Sequence, residues 1–276
     1  MLIRLGLTAD PDDAFMFWGL ASGTVDARDF EFEPVVEDTQ TLNEWSLEGR
    51  LEVTAISLAT YPLVQNRYLL LPQGGSMGSG YGPIVVAPEK LTLDALHETE
   101  IAVPGKLTTA FLVLKMALGG EFECRVMPSD EIVPAVASRE VPAGLLIHED
   151  MLTYLDVGLE KCLDLGEWWL LETGLPLPLS VNIVRRDLGD DVAREVSAIL
   201  RESIDAALEH RSEALEYALG FGHGVDSVRG DRFIGMYVNE KTLDYGDEGR
   251  LAVQELLARA EAVGAYDEPV RVQFVP

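Results

Sequence analysis

The chain opens Leu2-Ile3-Arg4-Leu5-Gly6-Leu7-Thr8-Ala9-Asp10-Pro11-Asp12-Asp13-Ala14-Phe15-Met16-Phe17-Trp18. An apolar run of strand length enters an acidic turn, and an aromatic helical pattern follows. The same alternation of short apolar runs with helical patterns continues along the chain, which argues an α/β fold. Strands are expected at residues 3–7, 31–36, 52–57, 68–71, 84–87, 100–103, 123–127, 144–147 and 179–185. Helices are expected between them, at 14–22, 39–47, 109–118 and 129–137. From Asp190 onward the pattern becomes helical. Asp190 or Asp191 is the expected cap of a helix whose Val192, Val196, Ile199, Leu200, Ile204 and Leu208 share one face. Further helices are expected at 212–219, 232–239 and 249–262.

Composition bounds the function. The chain has 276 residues, 47% of them hydrophobic and 25% charged, which suits a globular protein of about two domains. No segment reads as a clean linker, so one lobe is expected to be inserted into the other: residues 1–87 with 187–276, and 88–186. Two-lobed folds place ligands in the cleft between the lobes. The 21 Lys and Arg against 47 Asp and Glu give a net charge of −26. Such a field repels nucleic-acid and anionic membrane surfaces, so neither is an expected partner. An anionic ligand then needs local help from basic side chains or helix N-termini. The start of the chain carries no secretory signal pattern, and no apolar run reaches the ~18 residues of a transmembrane helix. Cys124 and Cys162 belong to no C-x-x-C pattern and read as reduced thiols of a cytoplasmic protein. The four histidines form no H-E-x-x-H, so no metal site is expected.

Four stretches carry candidate chemistry. The turn Thr8–Asp13 follows a strand, where open α/β sheets gather their ligands; the alternative is that Asp12 or Asp13 only caps the helix. Asp10-x-Asp12 resembles the phosphatase pattern with an aspartyl nucleophile, but Ala14 stands where that pattern needs Thr or Val. The glycine-rich Gly74-Gly75-Ser76-Met77-Gly78-Ser79-Gly80-Tyr81-Gly82-Pro83 lacks the order of a dinucleotide fingerprint and fits a hinge or crossing. Val103-Pro104-Gly105-Lys106-Leu107-Thr108-Thr109-Ala110 runs from strand to helix start, offering N–H groups and hydroxyls to a carboxylate; the alternative is a threonine cap and nothing more. Gly144-Leu145-Leu146-Ile147-His148-Glu149 ends an apolar strand in His148, placed at a rim and suited to proton transfer; the alternative is a structural histidine. His97 and His210 read as surface residues, and His223 is the rival base.

Taken in order, these motifs resemble the 1,4-dihydroxy-6-naphthoate synthase family of the futalosine route to menaquinone. The matching stretches are Asp13-x-Phe15, Glu37-Asp38, Thr41-Leu42-Asn43, Leu47-Glu48-Gly49-Arg50-Leu51 and Gly78-x-Gly80-x-Gly82-Pro83. They continue through Val103-Pro104-Gly105, Thr108-Thr109-Ala110, His148-Glu149, Thr173-Gly174-Leu175-Pro176-Leu177-Pro178 and Tyr237-Val238-Asn239. The resemblance covers nearly the whole chain. His-Glu together with Thr-Gly-Leu-Pro-Leu-Pro separates it from the related chorismate dehydratases. It implies a two-lobed fold like that of the type II periplasmic binding proteins, working without cofactor or metal on a small-molecule carboxylate, cyclic dehypoxanthine futalosine. By the same resemblance His148 is the general base of a carbon–carbon lyase. The family's ligand contacts fall on Ala55, Ile56 and Ser57 and on Thr109 and Ala110; Thr108, Asp13 and Asn43, which lie in the matching motifs, are further candidates for substrate binding. One departure stands out: the family opens Ser-Pro-Cys-Pro-Asn-Asp, where this chain has Thr8-Ala9-Asp10-Pro11-Asp12-Asp13. The added carboxylates change the polarity of that turn. The alternatives are a cytoplasmic solute-binding or sensor protein, or a paralogue acting on another small carboxylate.

Overall fold

The computed structural model describes residues 1–221 and 226–276. The chain forms two compact units, Met1–Met77 with Pro178–Pro276, and Gly78–Leu177.

The first unit begins β1 (Leu2–Thr8), α1 (Pro11–Met16), α2 (Trp18–Ala21), β2 (Glu31–Glu37), α3 (Thr39–Glu48), β3 (Val53–Ser57), α4 (Tyr61–Val64) and β4 (Tyr68–Leu70). The chain leaves this unit through β5 (Met77–Gly78). The second unit holds β6 (Ile84–Ala87), α5 (Leu93–His97), β7 (Ile101–Val103), α6 (Thr109–Ala117), β8 (Cys124–Val126), α7 (Ser129–Ala137), β9 (Ala143–Leu146), β10 (Glu160–Asp164) and α8 (Leu165–Thr173). The chain returns through β11 (Leu177–Pro178) into β12 (Ser180–Arg185), then α9 (Asp190–Glu209), α10 (Arg211–Ala218), α11 (Ser227–Tyr237), α12 (Glu240–Leu243) and α13 (Gly246–Ala262). None of the described helices is long and apolar enough to cross a membrane.

Each unit is built on a five-stranded mixed sheet, ordered β2-β1-β3-β12-β4 in the first and β10-β6-β9-β7-β8 in the second. In the first, β1 runs parallel to both β2 and β3, while β12 is antiparallel to β3 and β4. In the second, β7 is parallel to β8 and β9, and β6 is antiparallel to β9 and β10. Ile3, Leu5 and Leu7 alternate onto one face of β1 and pack with Phe15, Met16, Val53, Val184 and the Val196, Leu200 and Ile204 stripe of α9. Each such side chain contributes on the order of 1.5–3 kcal/mol by leaving water. In the second unit β9 lies so close to α7 that a Cβ on Gly144 would stand 2.5 Å from Ile132 Cγ2.

The structure corrects several expectations. The second unit spans Gly78–Leu177 rather than 88–186: β6 pairs with β9 and β10 in the second sheet rather than joining the first, and β12 pairs with β3 and β4 in the first. The helix expected over 14–22 starts at Pro11 and breaks at Phe17 into α1 and α2. Gly189, and neither Asp190 nor Asp191, is the cap residue of α9; the two aspartates lie in its first turn, at the positive end of the helix dipole. Neither β10 nor α8 was expected. The Glu-Lys-Cys-Leu-Asp stretch of β10 has no clean alternation, and α8 has apolar residues on more than one face.

One ionic cluster ties β1 and β12 to Glu52, the residue that precedes β3. Glu52 Oε2 accepts from the Arg4 backbone N–H at 3.0 Å and from Arg4 Nε at 2.8 Å, while Oε1 accepts from Arg4 Nη2 at 2.8 Å and from Arg185 Nη1 at 3.2 Å. Burial pushes the Glu52 carboxyl up, but the Arg4 hydrogen bonds outweigh it and hold the group below the ordinary carboxylate value. A lowered folded-state value adds stability above the unfolded pKa, and that stability is lost as pH falls through the folded one. Glu52→Gln is therefore expected to cost about 1–3 kcal/mol at neutral pH. In urea titrations, the gap between the variant and the wild type should shrink steadily once pH drops below about 4. A gap that is constant across this range would show that the carboxylate charge is not what stabilises the cluster.

Candidate functional site

Parallel pairing sets the carboxyl ends of β1 and β3 on one edge of the first sheet. Beyond β1, Asp10 is the cap residue of α1 but makes no side-chain cap bond, and Pro11 takes the first helical position. Asp12 and Asp13 follow in the first turn, so neither is the cap. Asp13 Oδ2 accepts from both Thr8 N and Thr8 Oγ1 at 2.8 Å, locking the turn on itself. Asp12 Oδ2 accepts from Ser76 Oγ at 2.9 Å. Asp10, Asp12 and Asp13 are all buried.

At the end of β3, Ala55, Ile56 and Ser57 are buried and paired in register with Asn182, Val181 and Ser180 of β12. Asn43, from α3, spends both ends of its buried amide on Ser57: Nδ2 donates to Ser57 Oγ at 3.0 Å, and Oδ1 accepts from Ser57 N at 2.8 Å. Asn43 thus positions Ser57, and Ser57 carries the polar group at the strand end. Asp38 makes this possible by capping α3 through Thr41 N.

The second sheet repeats the arrangement. β7 and β9 are parallel neighbours, with Ala102 opposite Gly144, so the turns that follow them share an edge. After β7 comes Thr108, the cap of α6, whose Oγ1 accepts from Phe111 N at 3.1 Å and donates to Gly105 O at 2.9 Å. Its hydroxyl therefore serves the cap. Thr109 and Ala110, both buried, open the helix at the positive end of its dipole. After β9 comes His148, half-buried and in the left-handed region at φ +61°. Arg28 and Arg139 are the other described non-glycine residues there. A side chain held in this region costs of order 1 kcal/mol, and such residues cluster at functional sites. Glu149, which follows, is 2% exposed.

The other expected groups lie elsewhere. His97 and His210 are exposed, the latter with its ring 5.5 Å from that of Trp18. His223 lies outside the described residues. Cys124 and Cys162 are free thiols, and burial pushes Cys162 up, away from thiolate chemistry. Among the described residues no group of three His, Cys, Asp or Glu is gathered as a metal site. Sequence reasoning missed Ser76, Ser180 and Asn182. Ser180 and Asn182 sit in an expected strand, but only the register with β3 brings them beside Ser57 and Ala55.

A family model described as menaquinone biosynthesis matches residues 3–262. A curated relative from Thermus thermophilus, a 1,4-dihydroxy-6-naphthoate synthase, is 43% identical over 273 residues, covering 99% of both chains. A crystal structure of a protein from Archaeoglobus fulgidus superposes with a TM-score of 0.91 at 45% identity, covering 96% of this chain and 98% of that one. A Candida albicans protein described as having the generic periplasmic binding protein fold superposes at 0.71 over 100% of this chain and 98% of its own, with 11% identity, a likeness of fold alone. The chain belongs to the menaquinone-biosynthesis family, on the fold of the periplasmic binding proteins.

Proposed function

We propose that this protein is a 1,4-dihydroxy-6-naphthoate synthase, a cytoplasmic carbon–carbon lyase that cleaves cyclic dehypoxanthine futalosine without a cofactor. The observation that carries the reading is the shared edge of β7 and β9, with a histidine after one strand and a helix start after the other. The near full-length likeness to a relative of that name supports it. His148 takes a proton from a hydroxyl of the sugar-derived part of the substrate. The oxygen's electrons close a carbonyl as the adjacent carbon–carbon bond breaks, and the electrons of that bond complete the aromatic naphthoate. Aromatisation drives the step, so one positioned base, worth roughly 10²–10⁴-fold, can suffice. The test is incubation of the purified protein with cyclic dehypoxanthine futalosine in the absence of metal or nucleotide. Formation of the naphthoate is expected, and no product at high enzyme concentration would sink the assignment.

The binding-protein fold supports a second reading, capture of a small carboxylate without chemistry. The two readings separate at His148. On the lyase reading, His148→Ala or His148→Asn abolishes turnover while ligand still binds, because the base acts in the transition state. Turnover that survives loss of the imidazole would exclude His148 as the base and turn attention to His223.

The −26 chain must hold an acidic substrate by local attraction. The start of α6 supplies N–H groups, the dipole and the Thr109 hydroxyl. Remote surface carboxylates are screened beyond a Debye length of about 8 Å. Thr109→Val should therefore raise the substrate Kd by about tenfold, whereas neutralising several distant carboxylates should change mainly the on-rate at low salt. The reverse order in calorimetry and stopped-flow would place the carboxylate elsewhere.

A further inference from the structure

The end of β3 carries a second hydroxyl that none of the family motifs includes. Ser57 and Ser180 are register partners across the antiparallel β3–β12 pair. Leu58 N donates to Leu179 O at 3.0 Å, a bond that flanks the two serines and does not join them. Ser57 N instead donates to Asn43 Oδ1, and Ser180 N donates to Ser76 O at 3.4 Å. The two serines therefore form the non-hydrogen-bonded type of pair, with Cα atoms about 4.5 Å apart and side chains on the same face of the sheet.

Their hydroxyls are prepared in the same way. Ser57 Oγ accepts from Asn43 Nδ2 at 3.0 Å, and Ser180 Oγ accepts at 3.2 Å from Ser76 N, which it shares with the Ser180 carbonyl, also at 3.2 Å. Each bond fills an acceptor position and fixes the oxygen, and neither O–H has an acceptor among the described residues. A serine hydroxyl has one proton to donate, so both donors remain available side by side. Ser57 is buried and Ser180 half-buried, which leaves the pair one open flank. One step inward on the same face, Ala55 faces Asn182, whose Nδ2 is held by Gly74 O at 2.7 Å. Asn182 Oδ1 is buried and has no hydrogen-bond partner among the described residues. The strand ends thus carry two donors, and one unmet acceptor lies buried behind them.

We propose that Ser180 is a ligand-binding residue that acts with Ser57 as a two-hydroxyl clamp on a carbonyl or carboxylate oxygen, with Asn182 Oδ1 receiving a neighbouring hydroxyl. The clamp fits a hydroxy-carbonyl or hydroxy-carboxylate group, and it rests on the proposed function for the claim that this group belongs to the naphthoate precursor. It binds ground state and transition state alike, so its loss raises KM and leaves kcat in place.

The test pairs steady-state naphthoate formation with calorimetric binding of malate, a simple hydroxy-carboxylate, to the same full-length protein. Ser180→Ala is expected to raise KM and the malate Kd about tenfold with kcat within about twofold. Ser180→Thr, which keeps the hydroxyl, should restore both. The Ser57→Ala, Ser180→Ala double variant should lose less than the product of the single effects, as residues sharing one ligand oxygen do. Unaltered thermal unfolding of Ser180→Thr guards against a folding artefact from the Ser76 bond. Ser180→Ala with KM and malate Kd within twofold of wild type would overturn the clamp and leave the lyase reading standing. Wild type that binds malate through Ser180 but forms no naphthoate would overturn the lyase reading and leave the clamp. Wild type that does not bind malate at about 50 mM, a Kd too weak for any oriented pair of hydrogen bonds, would count against the clamp.

Discussion

The parallel ladders of β1 with β3 and of β7 with β9 are the constraint from which the rest follows. In a parallel pair both strands finish at the same edge, and the chain must then turn away through a loop into a helix or another strand. Polar residues in those loops are brought together by the sheet, whatever their distance in sequence. Thr8 and Ser57 meet one edge in this way, and Thr108 and His148 the other. The apolar alternation of β1 and the packed faces of β9 and α9 secure the sheets, and so indirectly fix where the polar loops end up.

Around the first edge, buried polar groups hold one another. Asn43 binds Ser57 at two points, Asp13 folds back on Thr8, and Asp12 receives the Ser76 hydroxyl. Such bonds add about 0.5–1.5 kcal/mol each in net terms, but leaving one buried partner unmet costs more. Their main consequence is orientation: the donors and acceptors at the strand ends are fixed by the protein itself. The second edge uses other means, a threonine cap at α6 and a left-handed backbone at His148.

Much of this was legible in the residues. Short apolar runs mark every strand of the two five-stranded sheets except β10, because core burial leaves its trace in apolar runs, and His148 follows such a run as a polar residue. The Thr108 cap was equally readable, since threonine before an apolar helix is a local signal. What escaped depends on partners distant in sequence. β6 reads as a strand but does not say which sheet it joins, so the expected unit boundary fell past it. β10 lacks the period of a half-buried strand. The cap of α9 passed to Gly189 because its backbone leads into the helix, leaving Asp190 and Asp191 to the first turn. Ser180 looked like the start of an apolar strand, and only the β3 register makes it the neighbour of Ser57.

On the proposed function, the edge that carries His148 and the start of α6 receives the carboxylate ligand. Nitrogen-15 NMR of histidine-labelled protein tests it directly, with His148 assigned by comparison with His148→Asn and 1,4-dihydroxy-6-naphthoate as the titrant. The His148 imidazole resonances are expected to shift saturably with ligand while those of the exposed His97 and His210 stay in place. Saturable binding that leaves His148 unmoved would contradict it.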